Sequence, residues 1–260
     1  MPLFDSHAHY DDEKFNLDRD EIIEGLRQKT DTNPLGVSAV LNSASDIKSS
    51  LAALKLCEKY PFFYSSCGIH PHEAESADKD FEEQIKEILK NKRVRAIGEI
   101  GLDYHYDFSP RDVQKDVFIR QMKLAALVDY PVIIHDREAH GDCMEIVRKY
   151  PARGVFHSFS GSAEMVKELV KLGYFISFSG TVTFKNASAI LKAVEEVPDD
   201  RLLIETDSPY LAPVPYRGRV NNSSYMYETA KKIAELRGVE TEKIADITFN
   251  NACNLFGITF

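Results

Sequence analysis

The sequence is short of several things, and each shortage excludes a class of protein. It has only four cysteines in 260 residues, Cys57, Cys67, Cys143 and Cys253, with no C-x-x-C pair among them. Scattered thiols of this kind read as ordinary side chains in a reducing compartment. No run approaches the roughly 18 apolar residues of a membrane span, and the N-terminus has neither the basic region nor the apolar stretch of a signal peptide. A cytoplasmic chain, with no membrane contact and no obligate protein partner, is the expectation. Basic residues are outnumbered, 32 against 41, for a formal charge of −9 and a pI near 5.4. That balance argues against a large basic surface for long duplex nucleic acid. It leaves room for a nucleic-acid end in a small pocket, because bound divalent metals supply positive charge locally. No linker, charge block or low-complexity segment marks a domain boundary.

What the chain does have is a regular alternation. Short β-rich apolar runs are each followed by a polar turn and an amphipathic stretch. Strands are expected at Leu3–His9, Gly36–Leu41, Phe62–Cys67, Val94–Glu99, Val132–His135, Gly154–His157, Tyr174–Phe178 and Leu202–Asp207. Helices are expected between them, among them Leu17–Lys29, Asp46–Tyr60 with Leu51, Leu54 and Leu56 inward, and the long Arg111–Val128. Two more helices close the chain, and Phe249 with Leu255–Phe256 reads as packing against the barrel. Strands alternating with helices imply parallel pairing with helical crossovers. Continuous apolar runs such as Val132–Ile134 and Leu202–Ile204 suit strands covered on both faces. Eight such units predict one α/β domain over 1–260, a (β/α)8 TIM barrel; a doubly wound open sheet, which normally has fewer strands, is the alternative.

The strand ends carry the chemistry. Phe4-Asp5-Ser6-His7-Ala8-His9 puts two imidazoles two residues apart, on one side of a strand, with Asp5 in the same register. Glu99 ends the fourth strand, His135 the fifth, His157 the sixth and Asp207 the eighth. In a barrel these ends converge on one mouth. Singly, each is unremarkable: a histidine can be satisfied in a core, and a carboxylate can cap the next helix. Together, four imidazoles and two carboxylates exceed what one metal needs and fit two divalent ions bridged by a carboxylate. Such ligands suit Zn, Mn, Fe or Ni, with Mg an option where oxygen dominates.

The motifs Phe4–His9, Gly68-Ile69-His70-Pro71-His72, Gly98-Glu99-Ile100-Gly101-Leu102-Asp103-Tyr104, Ile134-His135-Asp136-Arg137, His157–Gly161 and Glu205–Pro213 span nearly the whole chain. In this order the sequence resembles the TatD-type metal-dependent hydrolases of the amidohydrolase superfamily. The resemblance implies the (β/α)8 barrel, a divalent-metal site and hydrolysis of phosphodiester bonds, as a deoxyribonuclease. It implies that His7, His9 and Asp207 hold one metal, that His135 and His157 hold the other, and that Glu99 bridges them where related enzymes use a modified lysine. One departure concerns the loop after Pro213. The family pattern Arg-Gly-x-x-Asn-x-Pro is here Arg217-Gly218-Arg219-Val220-Asn221-Asn222-Ser223, without its proline.

From these residues a mechanism is expected in which Asp207 is both metal ligand and general base. His70 is expected to donate to a phosphate oxygen or the leaving group. His72 and Arg137 are candidate substrate contacts; Arg137 would either grip a phosphate bidentately or pair with nearby Asp136 or Glu138. Tyr104, with His105 and Tyr106, is a candidate stacking surface for a base. The expected substrate is a DNA end or a short or single-stranded nucleic acid. Two other readings stay open: a hydrolase of the same fold acting on a C–N, lactone or ester bond such as an aminoacyl linkage, and an idle barrel used for binding.

Overall fold

The computed structural model describes residues 1–260. Eight parallel strands form one sheet in sequential order: β1 (Leu3–Ala8), β2 (Val37–Asn42), β3 (Phe63–Cys67), β4 (Val94–Asp103), β5 (Val132–Arg137), β6 (Gly154–Phe156), β7 (Phe175–Phe178) and β8 (Leu202–Ile204). The edges meet. Ser6 Oγ donates to the Ile204 carbonyl at 2.9 Å, the Asp207 amide donates to the His7 carbonyl at 2.9 Å, and the His9 amide to the Ser208 carbonyl at 2.7 Å. The sheet is therefore a barrel in a single domain and not an open doubly wound sheet. Helices alternate with the strands: α1 (Arg19–Gly25), α2 (Ile47–Lys59), α3 (Phe81–Ile88), α4 (Arg111–Val128), α5 (His140–Lys149), α6 (Ala163–Lys171), α7 (Ser188–Glu196) and α8 (Met226–Arg237), followed by α9 (Thr241–Phe256). None is long and apolar enough to cross a membrane.

The interior is layered. Every strand sends at least one apolar side chain to a common cluster, from Phe4 and Leu41 round to Phe175 and Leu203. Phe249, Leu255 and Phe256 of α9 join that cluster, with Phe249 against Phe4 at 6.1 Å between ring centres. The last helix thus seals one end of the barrel, as its apolar residues predicted. Small hydroxyls lie above this floor: Ser6 Oγ is 3.2 Å from Ser177 Oγ, and Ser66 Oγ donates to the Gly98 carbonyl at 2.6 Å. A second, larger cluster packs the outward strand residues under the helices.

Two helices differ from their expected form. The first is shorter than Leu17–Lys29 because neighbouring loops take its end groups. The Arg19 guanidinium donates to the carbonyls of Tyr10, Asp11 and Asp12, and the Leu26 carbonyl accepts from Val37 and from the Asn33 side chain. Leu17 is fully exposed. In α2 the leucines divide: Leu54 and Leu56 pack against the core as expected, and Leu51 does not. An Asp46–Ser49 capping box fixes the helix start, and Ser50, Ala53 and Cys57 face the barrel while Leu51 is half exposed. Small residues there let the helix lie close to the sheet.

Candidate metal centre

Four donor atoms converge from His7 and His9 at the end of β1, from Glu99, which lies within β4 and not at its end as expected, and from Asp207, three residues past β8. His7 Nε2 and His9 Nε2 are 3.1 Å apart. Glu99 Oε2 lies 3.3 Å from the first and 3.7 Å from the second, and Asp207 Oδ1 3.7 and 3.4 Å from them. A tetrahedral metal with bonds of about 2.1 Å requires donors about 3.4 Å apart. A second cluster adjoins on the other oxygen of the same carboxylate. His135 Nδ1 and His157 Nε2 each lie 2.7 Å from Glu99 Oε1 and 3.3 Å from one another. His70 Nε2 is 3.4 Å from that same oxygen. Each oxygen of Glu99 thus serves its own pair of imidazoles.

The backbone that presents these groups is unusual where it has to be. Glu99 reaches His135 because β4 lies very close to β5. A Cβ on Gly98 would sit 2.7 Å from Ile133 Cβ, and one on Gly101 only 1.9 Å from the His135 carbonyl oxygen, at φ +144°. Asp207 adopts φ +56° and Ser158, next to His157, φ +40°, in the left-handed region that costs a residue with a Cβ roughly 1–2 kcal/mol. The Asp207 turn is held by the amide bond to His7 and by the Tyr210 amide, which donates to the Asp207 carbonyl at 2.9 Å.

Three of the four candidate histidine ligands have their remote nitrogen fixed by an outer partner. His9 Nδ1 is 3.0 Å from the Ser43 carbonyl, His157 Nδ1 is 3.3 Å from Glu205 Oε1, and His135 Nε2 is 3.0 Å from Asp103 Oδ2. A carbonyl or an ionised carboxylate only accepts, so each remote nitrogen carries the hydrogen and the other presents a lone pair. Asp103 is fully buried. Burial alone would raise its pKa, but the hydrogen bonds from His135 and His72 outweigh this and hold it far below the usual carboxylate range.

The donor set fits divalent metals on this ground. A neutral His135 and a neutral His157 would each turn a lone pair on a carboxylate oxygen at 2.7 Å, so the arrangement calls for a cation between them, a proton or a metal. The whole centre is tuned that way. Burial would raise Glu99, yet the surrounding imidazoles of His157, His70 and His7 hold it well below its ordinary value. His157, which burial would push down, is held well above its own by Glu99 and Glu205. His70 differs: burial pushes it down to about 4. Its Nδ1 accepts the His72 amide at 3.1 Å, so its Nε2–H points towards Glu99 as a neutral donor.

The other expected site residues fall on both sides of the cavity wall. The cavity has a volume of about 740 Å³, and His72, Arg137, Tyr106, Phe108 and Tyr210 line it beside the histidines. His72 Nε2 sits 3.0 Å from Asp103 Oδ2. Arg137 does not pair with its neighbours, since Asp136 bonds His140 and Glu138 bonds His105. Tyr104 does not line the cavity. Its hydroxyl donates to Asp142 at 2.6 Å and the Arg111 guanidinium covers its ring at 4.2 Å; the aromatic surface at the mouth is Tyr106 and Phe108 instead. Asp5 also departs from expectation. The register slips between Asp5 and Ala8, and Asp5 turns to accept from Thr206 Oγ1 and Ser223 Oγ, both at 2.6 Å. Asp103, Glu205 and Phe108 were not anticipated as site residues. Asp103 and Glu205 stand inside the motifs around Glu99 and Asp207, which could have drawn notice; Phe108 lies outside both and carries no such signal.

With this geometry in view, comparison with known proteins is decisive. A family model described as TatD related DNase matches residues 4–257. The chain belongs to the TatD family. An uncharacterized metal-dependent hydrolase, YabD of Bacillus subtilis, is 43% identical over 259 residues, covering 98% of this chain and 99% of that one. A 3′-5′ ssDNA/RNA exonuclease, TatD of Escherichia fergusonii, is 32% identical over 266 residues, covering 99% and 100%. Among solved structures, the TatD homologue YjjV of Escherichia coli K12 superposes with a TM-score of 0.89 at 29% identity, covering 99% of this chain and 98% of that one. The TatD loop that lacks its proline here is held by Asn221, which is buried and whose side-chain amide donates to the carbonyls of Thr206 and Tyr210 at 2.9 and 2.7 Å. Asn221 thereby braces the turn that carries Asp207.

Proposed function

We propose that this TatD-family hydrolase cleaves phosphodiester bonds at the ends of single-stranded nucleic acid, from the 3′ end, as the Escherichia fergusonii relative is named to do. The observation that carries the reading is Glu99, whose two oxygens each face a separate pair of imidazoles. In this proposal His7, His9 and Asp207 would hold one divalent ion and His135 and His157 the other, with Glu99 offering an oxygen to each. When bound, two such ions supply Lewis acidity against an anionic phosphoryl group.

The chain's own groups do the rest. Asp207 takes a proton from the attacking water at its free carboxylate oxygen. His70, neutral and with its Nε2–H turned inward, donates to a phosphoryl or leaving oxygen. Arg137, unpaired and on the cavity wall, grips a non-bridging phosphate oxygen. The acidic surface disfavours capture of long duplex, which supports entry by an end.

The test is hydrolysis of a labelled single strand, of the matching duplex, and of amide, lactone and aminoacyl ester substrates, before and after chelation. Strand cleavage that disappears on chelation and returns with about two metals per chain is expected. Full metal content with turnover of only the carbonyl substrates would replace this reading with theirs.

A further inference from the structure

Tyr106 and Phe108 are not needed by the fold. They lie on the loop between β4 and α4, 50% and 65% exposed, and leaving that much ring surface in water gives up burial that other aromatics of the chain obtain. The loop is nevertheless rigidly held. Asp103 Oδ1 accepts the amides of His105 and Tyr106 at 3.0 and 2.8 Å. Ser109 Oγ donates to the His72 carbonyl at 2.9 Å and accepts the Glu75 amide at 3.1 Å. The buried Gln114 side chain ties Asp103 to Ser109 through both backbones. Two exposed aromatics on a pinned loop form a prepared surface and not a mobile tip.

Their geometry is that of a shelf. The rings are 5.4 Å apart and tilted by 32°, and the His72 ring stands edge-on to both, at 5.5 Å from Tyr106 and 4.7 Å from Phe108. Both rings line the metal cavity. The guanidinium of Arg137 stands over one face of the Tyr106 ring, 5.2 Å from its centre, so a phosphate-gripping cation backs the stacking surface and Tyr106 offers a base its edge or its other face. The other exposed aromatic of the mouth, Tyr210, is already engaged: its hydroxyl donates to Asp12, and the Lys14 ammonium covers its ring at 4.1 Å.

We propose that Tyr106 and Phe108 form a subsite that stacks the terminal nucleobase of a single strand. The proposal rests on the nuclease reading for its ligand and deepens it. Asp103 sets the spacing. One of its oxygens holds the shelf's backbone while the other holds His135, so the base surface and the cleavage position share one anchor. Stacking on a ring face tolerates any base, whereas a paired terminal base has its neighbour above it and its partner beside it. The subsite therefore selects for unpaired ends without reading sequence.

The test uses a short strand with the fluorescent base 2-aminopurine at its 3′ end, its terminal linkages made phosphorothioate so that it stays intact. A matching strand carries the label internally. Wild-type protein loaded with metal is expected to quench the terminal label and not the internal one. Phe108→Ala and Tyr106→Ala, at positions exposed enough to leave folding intact, are expected to lose that quench and bind roughly tenfold more weakly. Phe108→Trp is expected to retain both. Unchanged quenching and affinity in both alanine variants would overturn the shelf. So would a wild-type protein that cleaves the unmodified strand without quenching its end, and that result would leave the nuclease reading standing. Quenching by a protein that cleaves no phosphodiester would keep the shelf and remove the nuclease.

Discussion

Replacing Asp103 by Asn changes one atom and sets a clear conflict. The carboxylate accepts four hydrogen bonds: His135 and His72 on Oδ2, each at 3.0 Å, and two backbone amides on Oδ1 at 3.0 and 2.8 Å. An amide has one accepting oxygen, which cannot serve both sides. If it stays with the backbone amides, the new NH2 faces His135 Nε2–H, donor against donor. The imidazole then has to move its hydrogen to Nδ1, 2.7 Å from Glu99 Oε1, and loses the lone pair a metal would use. If the amide flips, two loop amides lose their acceptor instead. Losing a hydrogen bond to a charged group costs about 1.5–3 kcal/mol, which is roughly ten- to a hundredfold in an equilibrium, the range seen when outer partners of metal-bound histidines are removed. Asp103→Asn is therefore expected to weaken the site at His135 and His157 by that factor. The site at His7, His9 and Asp207 should remain filled. Metal content after dialysis against a competing chelator should fall from about two per chain to about one, with the circular dichroism spectrum unchanged. A variant that keeps both metals at wild-type affinity and wild-type turnover would refute the tautomer argument.

Three further outcomes are expected. Asp207→Asn removes turnover while the fold, read by circular dichroism, persists; wild-type-like turnover would exclude Asp207 as the base. His70→Ala lowers turnover strongly at unchanged metal content, because a neutral donor at the edge of the centre is lost and a ligand is not; elemental analysis showing lost metal would make His70 a ligand. Gly101→Ala is expected to destabilise the protein by at least about 4 kcal/mol, since its Cβ would meet the His135 carbonyl at 1.9 Å. A Tm drop of roughly 10 °C or more in a calorimetric scan is the readout, and a Tm within a degree or two of wild type would refute it.

The barrel was legible in the sequence because its evidence is local and repeated. Eight apolar runs alternate with amphipathic stretches, and the six candidate ligands are themselves polar groups at expected strand ends. What escaped depended on relations between distant backbones. Nothing near Asp5 announces that the register slips before Ala8 and turns its carboxylate towards Thr206 and Ser223. Tyr104 and Phe108 are both aromatic residues just past Glu99, and only the path of the loop, set by Gln114 and Ser109, decides which faces the cavity. Asp103 and Glu205 read as ordinary loop acids until the imidazoles they hold are seen beside them. In α2 only Leu51 escaped its expected place, because the helix start set by the capping box gives the innermost positions to Ser50, Ala53 and Cys57.

The closure of the barrel has a consequence for how the protein comes into being. Asp5, two residues before His7, is bonded to Thr206, one residue before Asp207, across 201 positions of chain. Such a contact forms late, since the entropy of closing so long a loop must first be overcome. While the chain is being synthesised, the half-site at its beginning is made long before the carboxylate that completes it. A nascent or interrupted chain carries the first two histidines but not Asp207. For the proposed nuclease, the ribosome making the chain, itself built on RNA, meets no complete site until the eighth strand has found the first.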